Sequence, residues 1–166
     1  MKNIQRFVPI AALLSLSLTG VAIAKTALAQ NRPSLGLSPT APNFLLSIRR
    51  EGGMCAAMGC FSEVAVLSNG TYRYADSSPK QRTGRLSRGE VRRFQQRMAN
   101  VNFEAIKARP FTGTCPLAYD GPETVYTFRS GDRVEVLRSC QTHIEGSNPL
   151  FQQAERVYRE VSEKSE

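Results

Sequence analysis

Apolar and polar positions alternate over two stretches of this chain and recur at helical spacing over two others. Phe44 to Arg50 is apolar and then basic, and it reads as a first strand ended by Glu51-Gly52-Gly53. Between Glu63 and Asp76, Asn69-Gly70 marks a two-residue type I′ hairpin turn, because both residues tolerate positive φ. That register sets Leu67 opposite Tyr72 and Ala65 opposite Tyr74, so these four share the core face, with Val64 and Val66 behind them. Ser77 to Gly84 is polar and reads as a loop. Ser87-Arg88-Gly89-Glu90 has the form of a capping box. Val91, Phe94, Met98 and Val101 follow at helical spacing, which predicts a helix from Arg88 to Asn100. Lys107 to Pro122 is irregular and long for a compact domain. Thr124 to Cys140 reads as a second hairpin. A three-residue turn at Ser130-Gly131-Asp132 would set Phe128 opposite Val134 and Tyr126 opposite Val136. A last helix starts at Ser147 or Asn148 with Pro149 in its first turn. Leu150, Phe151, Ala154, Val157, Tyr158 and Val161 form its apolar stripe. The predicted order is β-β-β-α-β-β-α. This is an α+β fold, a single antiparallel sheet of about five strands with two helices packed on one face.

The pattern before Phe44 is different. Lys2 and Arg6 precede an apolar run from Phe7 to Ala24, and two small-x-small sites follow at Ala22-Ile23-Ala24 and Ala27-Leu28-Ala29. Residues 1–29 read as a signal peptide, with the second site preferred. A retained anchor is the alternative, but the apolar run is at the lower edge for a membrane span. Residues 30–43, with Pro33, Pro39 and Pro42, read as a flexible tether, and residues 44–166 as one domain. The expected compartment is periplasmic or extracellular, with no transmembrane segment after cleavage.

Export changes the meaning of the four cysteines, Cys55, Cys60, Cys115 and Cys140, because an oxidising compartment favours disulfides. Of the three possible pairings, Cys55–Cys60 and Cys115–Cys140 are favoured. The first closes a tight ring of small residues. In the second, Cys140 ends the last strand near the start of its hairpin partner, and Cys115 lies a short loop before that start. The chain-entropy model assigns about 2 kcal/mol to the short ring and about 3.5 kcal/mol to the long one. A zinc site would need close Cys or His pairs, and a redox site a C-x-x-C; neither spacing occurs, so no metal or cofactor is expected.

Charge adds a candidate surface. The full chain carries a formal charge of +8, and loss of Lys2, Arg6 and Lys25 with the leader leaves +5. Lys80, Arg82, Arg85, Arg88, Arg92, Arg93 and Arg97 lie close together, with Glu90 the only acid among them. Arg88, Arg92, Arg93 and Arg97 fall on the helix side opposite Val91, Phe94 and Met98. They form either an ordinary solvated face or an anion-binding face for an acidic envelope polymer or lipid. Arg49, Arg50, Arg133 and Arg138 are candidates to widen it. Nucleic acid is excluded as a partner, since no binding motif is present. Catalytic chemistry has few candidates. His143 is the only histidine, and a small hydrolase would have to use it. No nucleophile elbow accompanies it. Glu51, Glu63, Asp120, Glu123 and Glu135 are scattered along the chain.

Residues from about 44 to 163 resemble small bacterial β/α domains of the emfourin type, which are metalloprotease inhibitors. The resemblance rests on Arg49-Arg50-Glu51-Gly52-Gly53 after the first strand, Leu86-Ser87-Arg88-Gly89-Glu90 opening a helix, and the hairpin-plus-helix ending. The stretch from Cys55 to Gly70 also resembles secreted bacterial domains with a cysteine loop before an Asn-Gly or Asp-Gly hairpin. The four cysteines depart from the inhibitor pattern. The resemblance implies a non-enzymatic binding domain with a protein partner, a protease among the candidates.

Overall fold

A computed structural model of the chain describes residues 38–39, 41–53, 60–79 and 81–163. The expected signal peptide, most of the tether, Cys55 and Lys80 lie outside these residues.

Six strands form one antiparallel sheet in the order β4-β3-β2-β1-β5-β6. They are β1 (Phe44–Glu51), β2 (Phe61–Leu67), β3 (Thr71–Asp76), β4 (Gln81–Arg85), β5 (Glu123–Ser130) and β6 (Arg133–Arg138). Between β4 and β5 the chain forms α1 (Arg88–Asn100), α2 (Phe103–Lys107) and a 3-10 turn (Pro116–Tyr119), and it ends with α3 (Pro149–Glu163). β1 is central because it is the apolar strand: Leu46 and Ile48 are fully buried. From its helix-covered face Leu46, Ile48, Val64, Val66, Phe128 and Leu137 meet Phe94 and Met98 of α1 and the apolar stripe of α3 in one core. Among the described residues no helix is long and apolar enough to cross a membrane.

The α+β class and single sheet agree with the sequence pattern, while strand and helix counts are larger. Ser77–Gly84 is not a loop throughout, because β4 pairs with β3 from Thr71↔Arg85 to Ala75↔Gln81. Apolar periodicity misses β4 because it has no apolar side chain. Its inner side is covered instead by tyrosines of β3. Arg82 lies over the Tyr74 ring at 4.2 Å, and a Cβ on Gly84 would meet the Tyr72 ring at 2.3 Å. The short α2 was also unforeseen. Asn102 caps it by accepting the Ala105 N–H at 3.0 Å, and Phe103 and Ile106 are buried.

Both hairpins differ from their expected registers by one residue. In the first, Val66 faces Tyr72 and Val64 faces Tyr74. Gly70, at φ 87°, follows a turn closed by its N–H on the Leu67 carbonyl at 2.8 Å. Asn69 Oδ1 accepts the Thr71 N–H at 2.9 Å. The loop therefore has three residues with a left-handed glycine at the bulge, and one extra residue turns every following side chain over. In the second hairpin the correction is opposite. Ser130 pairs with Arg133 across a two-residue turn led by Gly131 at φ 63°. Phe128 therefore faces Glu135, and Tyr126 faces Leu137.

The capping box of α1 forms as the sequence predicts. The Glu90 N–H donates to Ser87 Oγ at 3.2 Å, and the Ser87 N–H donates to Glu90 Oε2 at 2.8 Å. The hydrogen bond from the Ser87 hydroxyl, foremost, holds the Glu90 carboxyl below the usual carboxylate range. A lowered folded pKa means the carboxylate stabilises the fold above the unfolded value and loses that effect as pH falls through the folded one. Glu90→Ala should therefore cost about 1 kcal/mol at neutral pH. Urea melts of wild type and variant at about pH 7 and about pH 2.5 should converge at the lower pH. A difference that persists unchanged there would contradict the cap's ionic character.

Candidate functional site

Two positive-φ glycines set up the end of the sheet where β1 finishes. Gly52 and Gly53 have φ of 96° and 102°, and both tolerate a close neighbour. A Cβ on Gly52 would lie 2.1 Å from Leu117 Cδ2, and one on Gly53 would lie 3.2 Å from the Asp120 carbonyl. The 3-10 turn thus rests directly against the Gly-Gly backbone. The turn closes on itself through the Gly121 N–H to the Pro116 carbonyl at 2.8 Å. Cys115, immediately before it, is disulfide-bonded to Cys140 at a Cα–Cα distance of 5.1 Å. This is the pairing the sequence favours; the companion Cys55–Cys60 pair falls partly outside the described residues. Backbone bonds extend the anchorage, with the Phe111 N–H donating to the Gln141 carbonyl and the His143 N–H to the Arg109 carbonyl. The segment that reads as irregular in sequence is therefore held along much of its length. At the 3-10 turn its exposed side chains are apolar: Leu117 is 45% exposed and Tyr119 76%.

Beneath this turn, on the sheet face opposite the helices, an ion-pair chain crosses four strands. Arg49 pairs with Glu63 at 3.2 Å and with Glu51 at 3.0 Å. Arg138 pairs with Glu51 at 2.7 Å and also with Glu123. Glu123 additionally accepts the Cys140 N–H at 3.3 Å, which joins the chain to the bridge. Glu51, Glu63 and Glu123 are all buried. The Glu123 carboxylate, accepting from Arg138, raises the guanidinium pKa further. Arg50, the next residue, points the other way, as strand neighbours do. It pairs with Glu155 of α3 at 2.6 Å and lies over the Tyr158 ring at 4.2 Å. Tyr126 completes that contact, donating to Glu155 Oε1 at 2.6 Å, and burial raises its pKa strongly. Arg49, Arg50 and Arg138 thus each serve a carboxylate of this chain.

The four helix arginines divide between two grooves. Arg88 and Arg92 line a groove of about 430 Å³ together with Arg85 and Asn69. Arg93 and Arg97 line another of about 440 Å³ beside Asn148 and Pro149. Arg97 is occupied there, donating to the Pro149 carbonyl.

No family model and no curated protein matches this chain.

His143 is exposed on the segment after β6. The carboxylate near it, Glu145, is held by Ser147 and by Arg109, and both lower its pKa. Among the described residues no hydroxyl or thiol hydrogen-bonds the imidazole. Within the described residues His143 is thus not joined to a nucleophile; of the acids that look scattered in sequence, Glu51, Glu63 and Glu123 meet in the ion-pair chain, while Glu135 pairs with Lys107. Leu117 and Tyr119 are the functional candidates that sequence reading passes over. Their one signal is two large apolar side chains between prolines and glycines, directly after a cysteine.

Proposed function

We propose that this chain is a secreted, non-enzymatic binding domain that takes a protein partner at the stapled end of its sheet. The observation that carries the reading is the fixed, apolar 3-10 turn. Tyr119 and Leu117 face solvent from a backbone held by the Cys115–Cys140 bridge and the Gly52–Gly53 contact. Exposed aromatic side chains on a preorganised turn are suited to anchoring an interface, because little ordering entropy remains to be lost on binding. The disulfide supports an exported protein, since such bonds persist in oxidising compartments. The resemblance to emfourin-type domains makes an extracellular or periplasmic protease the first partner class to examine.

The test is affinity capture from secreted or periplasmic extract on the immobilised oxidised protein, alongside a Leu117→Ser/Tyr119→Ser variant. Tyr119 is mostly exposed, while Leu117 is about half buried where it packs on Gly52, so the variant should cost about 1 kcal/mol, and a urea melt establishes that it is folded before capture. A specifically retained protein that the variant fails to hold supports the reading. Absence of any specific retention, or equal retention by the variant, overturns it.

A further inference from the structure

A second feature lies at the other end of β2, about 20 Å from the stapled turn by strand rise. The groove lined by Ser68, Asn69, Arg85, Arg88, Arg92 and Gln95, with Val91 beside them, has no carboxylate in its lining. Several arginines in the described residues have internal partners. Arg49, Arg50, Arg109 and Arg138 are ion-paired with glutamates. Arg82 covers Tyr74, and Arg97 donates to a carbonyl. Arg85, Arg88 and Arg92 are instead all exposed, and none makes an ion pair or side-chain hydrogen bond within the described residues.

The arrangement is electrostatically unfavourable without a ligand. Arg88 opens α1, where a cation opposes the helix dipole. Arg88 and Arg92 stand one turn apart, a spacing at which like charges destabilise a helix. Arg85 adds a third guanidinium from the sheet edge. An anion in the groove would relieve all three interactions at once.

We propose that this groove is a binding site for a phosphate group, carried either by a lipid headgroup or by a soluble phosphomonoester. Planar guanidinium forks match the oxygens of a phosphate bidentately, and three forks suit a multiply charged tetrahedral anion better than a single carboxylate. The volume exceeds that of a bare phosphate, so there is room for the group that bears it. The site is separate from the turn proposed to hold a protein, and either can fail alone.

The test uses the full oxidised protein with two probes. Glycerol phosphate is titrated calorimetrically, and phosphatidylcholine vesicles are sedimented with and without phosphatidic acid. Arg88→Gln/Arg92→Gln is compared with Arg133→Gln/Arg159→Gln, which removes equal charge from exposed positions outside the groove. The groove variant should weaken binding at least about tenfold, as expected for loss of two charge-assisted contacts. The control variant should change it less than about twofold. Binding of glycerol phosphate alone identifies a soluble ligand, and binding of phosphatidic acid vesicles alone a lipid. If neither probe binds, or if both variants weaken binding equally, the proposal is overturned.

Discussion

Replacing Cys115 and Cys140 together by serine is expected to lower folding stability by about 3.5 kcal/mol, from the loop-closure entropy of the chain they enclose. The loss should not be uniform. Between residues 109 and 143 the backbone bonds Phe111–Gln141 and His143–Arg109 remain available. The 3-10 turn itself keeps its own closure and the contacts of Leu117 with Gly52 and of Asp120 with Gly53. Amide exchange should therefore rise first at residues 114–121, at urea concentrations where β1 and β5 stay protected. If the protein partner is gripped by Tyr119, capture should weaken in this variant even under conditions where the core remains folded. Unchanged melts together with unchanged exchange in 114–121 would show that the bridge does not organise the turn.

The second large effect is expected at Arg138. Its removal leaves Glu123, which is only 2% exposed, without its guanidinium, and takes one guanidinium from Glu51. Breaking a buried pair on one side costs more than losing the pair, because the remaining charge stays desolvated. Arg138 is itself one-third exposed, so the expected loss for Arg138→Ala is about 3 kcal/mol, at the low end for buried pairs. Adding Glu123→Gln should recover part of it by removing the stranded charge, so the double variant should melt above Arg138→Ala. A double variant that melts no higher than the single one would show that the stranded Glu123 charge is not what destabilises Arg138→Ala.

Different physical signals explain what was legible in the chain and what was not. α1 and α3 are legible because their information is local: Ser87 and Glu90 mark a start, and the apolar spacing marks the buried side. Turn positions are equally visible at Asn69-Gly70 and Gly131-Asp132. Loop length is not, because Asn-Gly suits both a two-residue turn and a three-residue turn with a bulge, and Gly131 fits the middle of a three-residue turn as well as the start of a two-residue one. That single-residue choice decides whether Val64 and Val66 or Ala65 and Leu67 face the helices. β4 carries no apolar pattern, since its neighbours' tyrosines supply the cover. The arginines are visible as charges but not as partners. Arg49 and Glu63 meet only because β1 and β2 take one register, and Arg138 reaches Glu51 only because β5 pairs with β1 and β6 pairs with β5. The site suffers most from this, since Leu117 and Tyr119 gain meaning only when the turn is seen to be fixed.

The strand order β4-β3-β2-β1-β5-β6 leaves β4 and β6 as the two borders of an open sheet. A border strand offers unpaired backbone groups to any passing chain, and short length and charge work against such growth. β4 has five residues, two of them arginine, and β6 has six, with Arg133, Glu135 and Arg138 among them. The same basic surplus that suggests ligand binding thus also discourages end-on stacking of one copy upon another. For a protein that works, as proposed, outside the cytoplasm and away from its chaperones, a sheet that stops at six strands closes one route to aggregation.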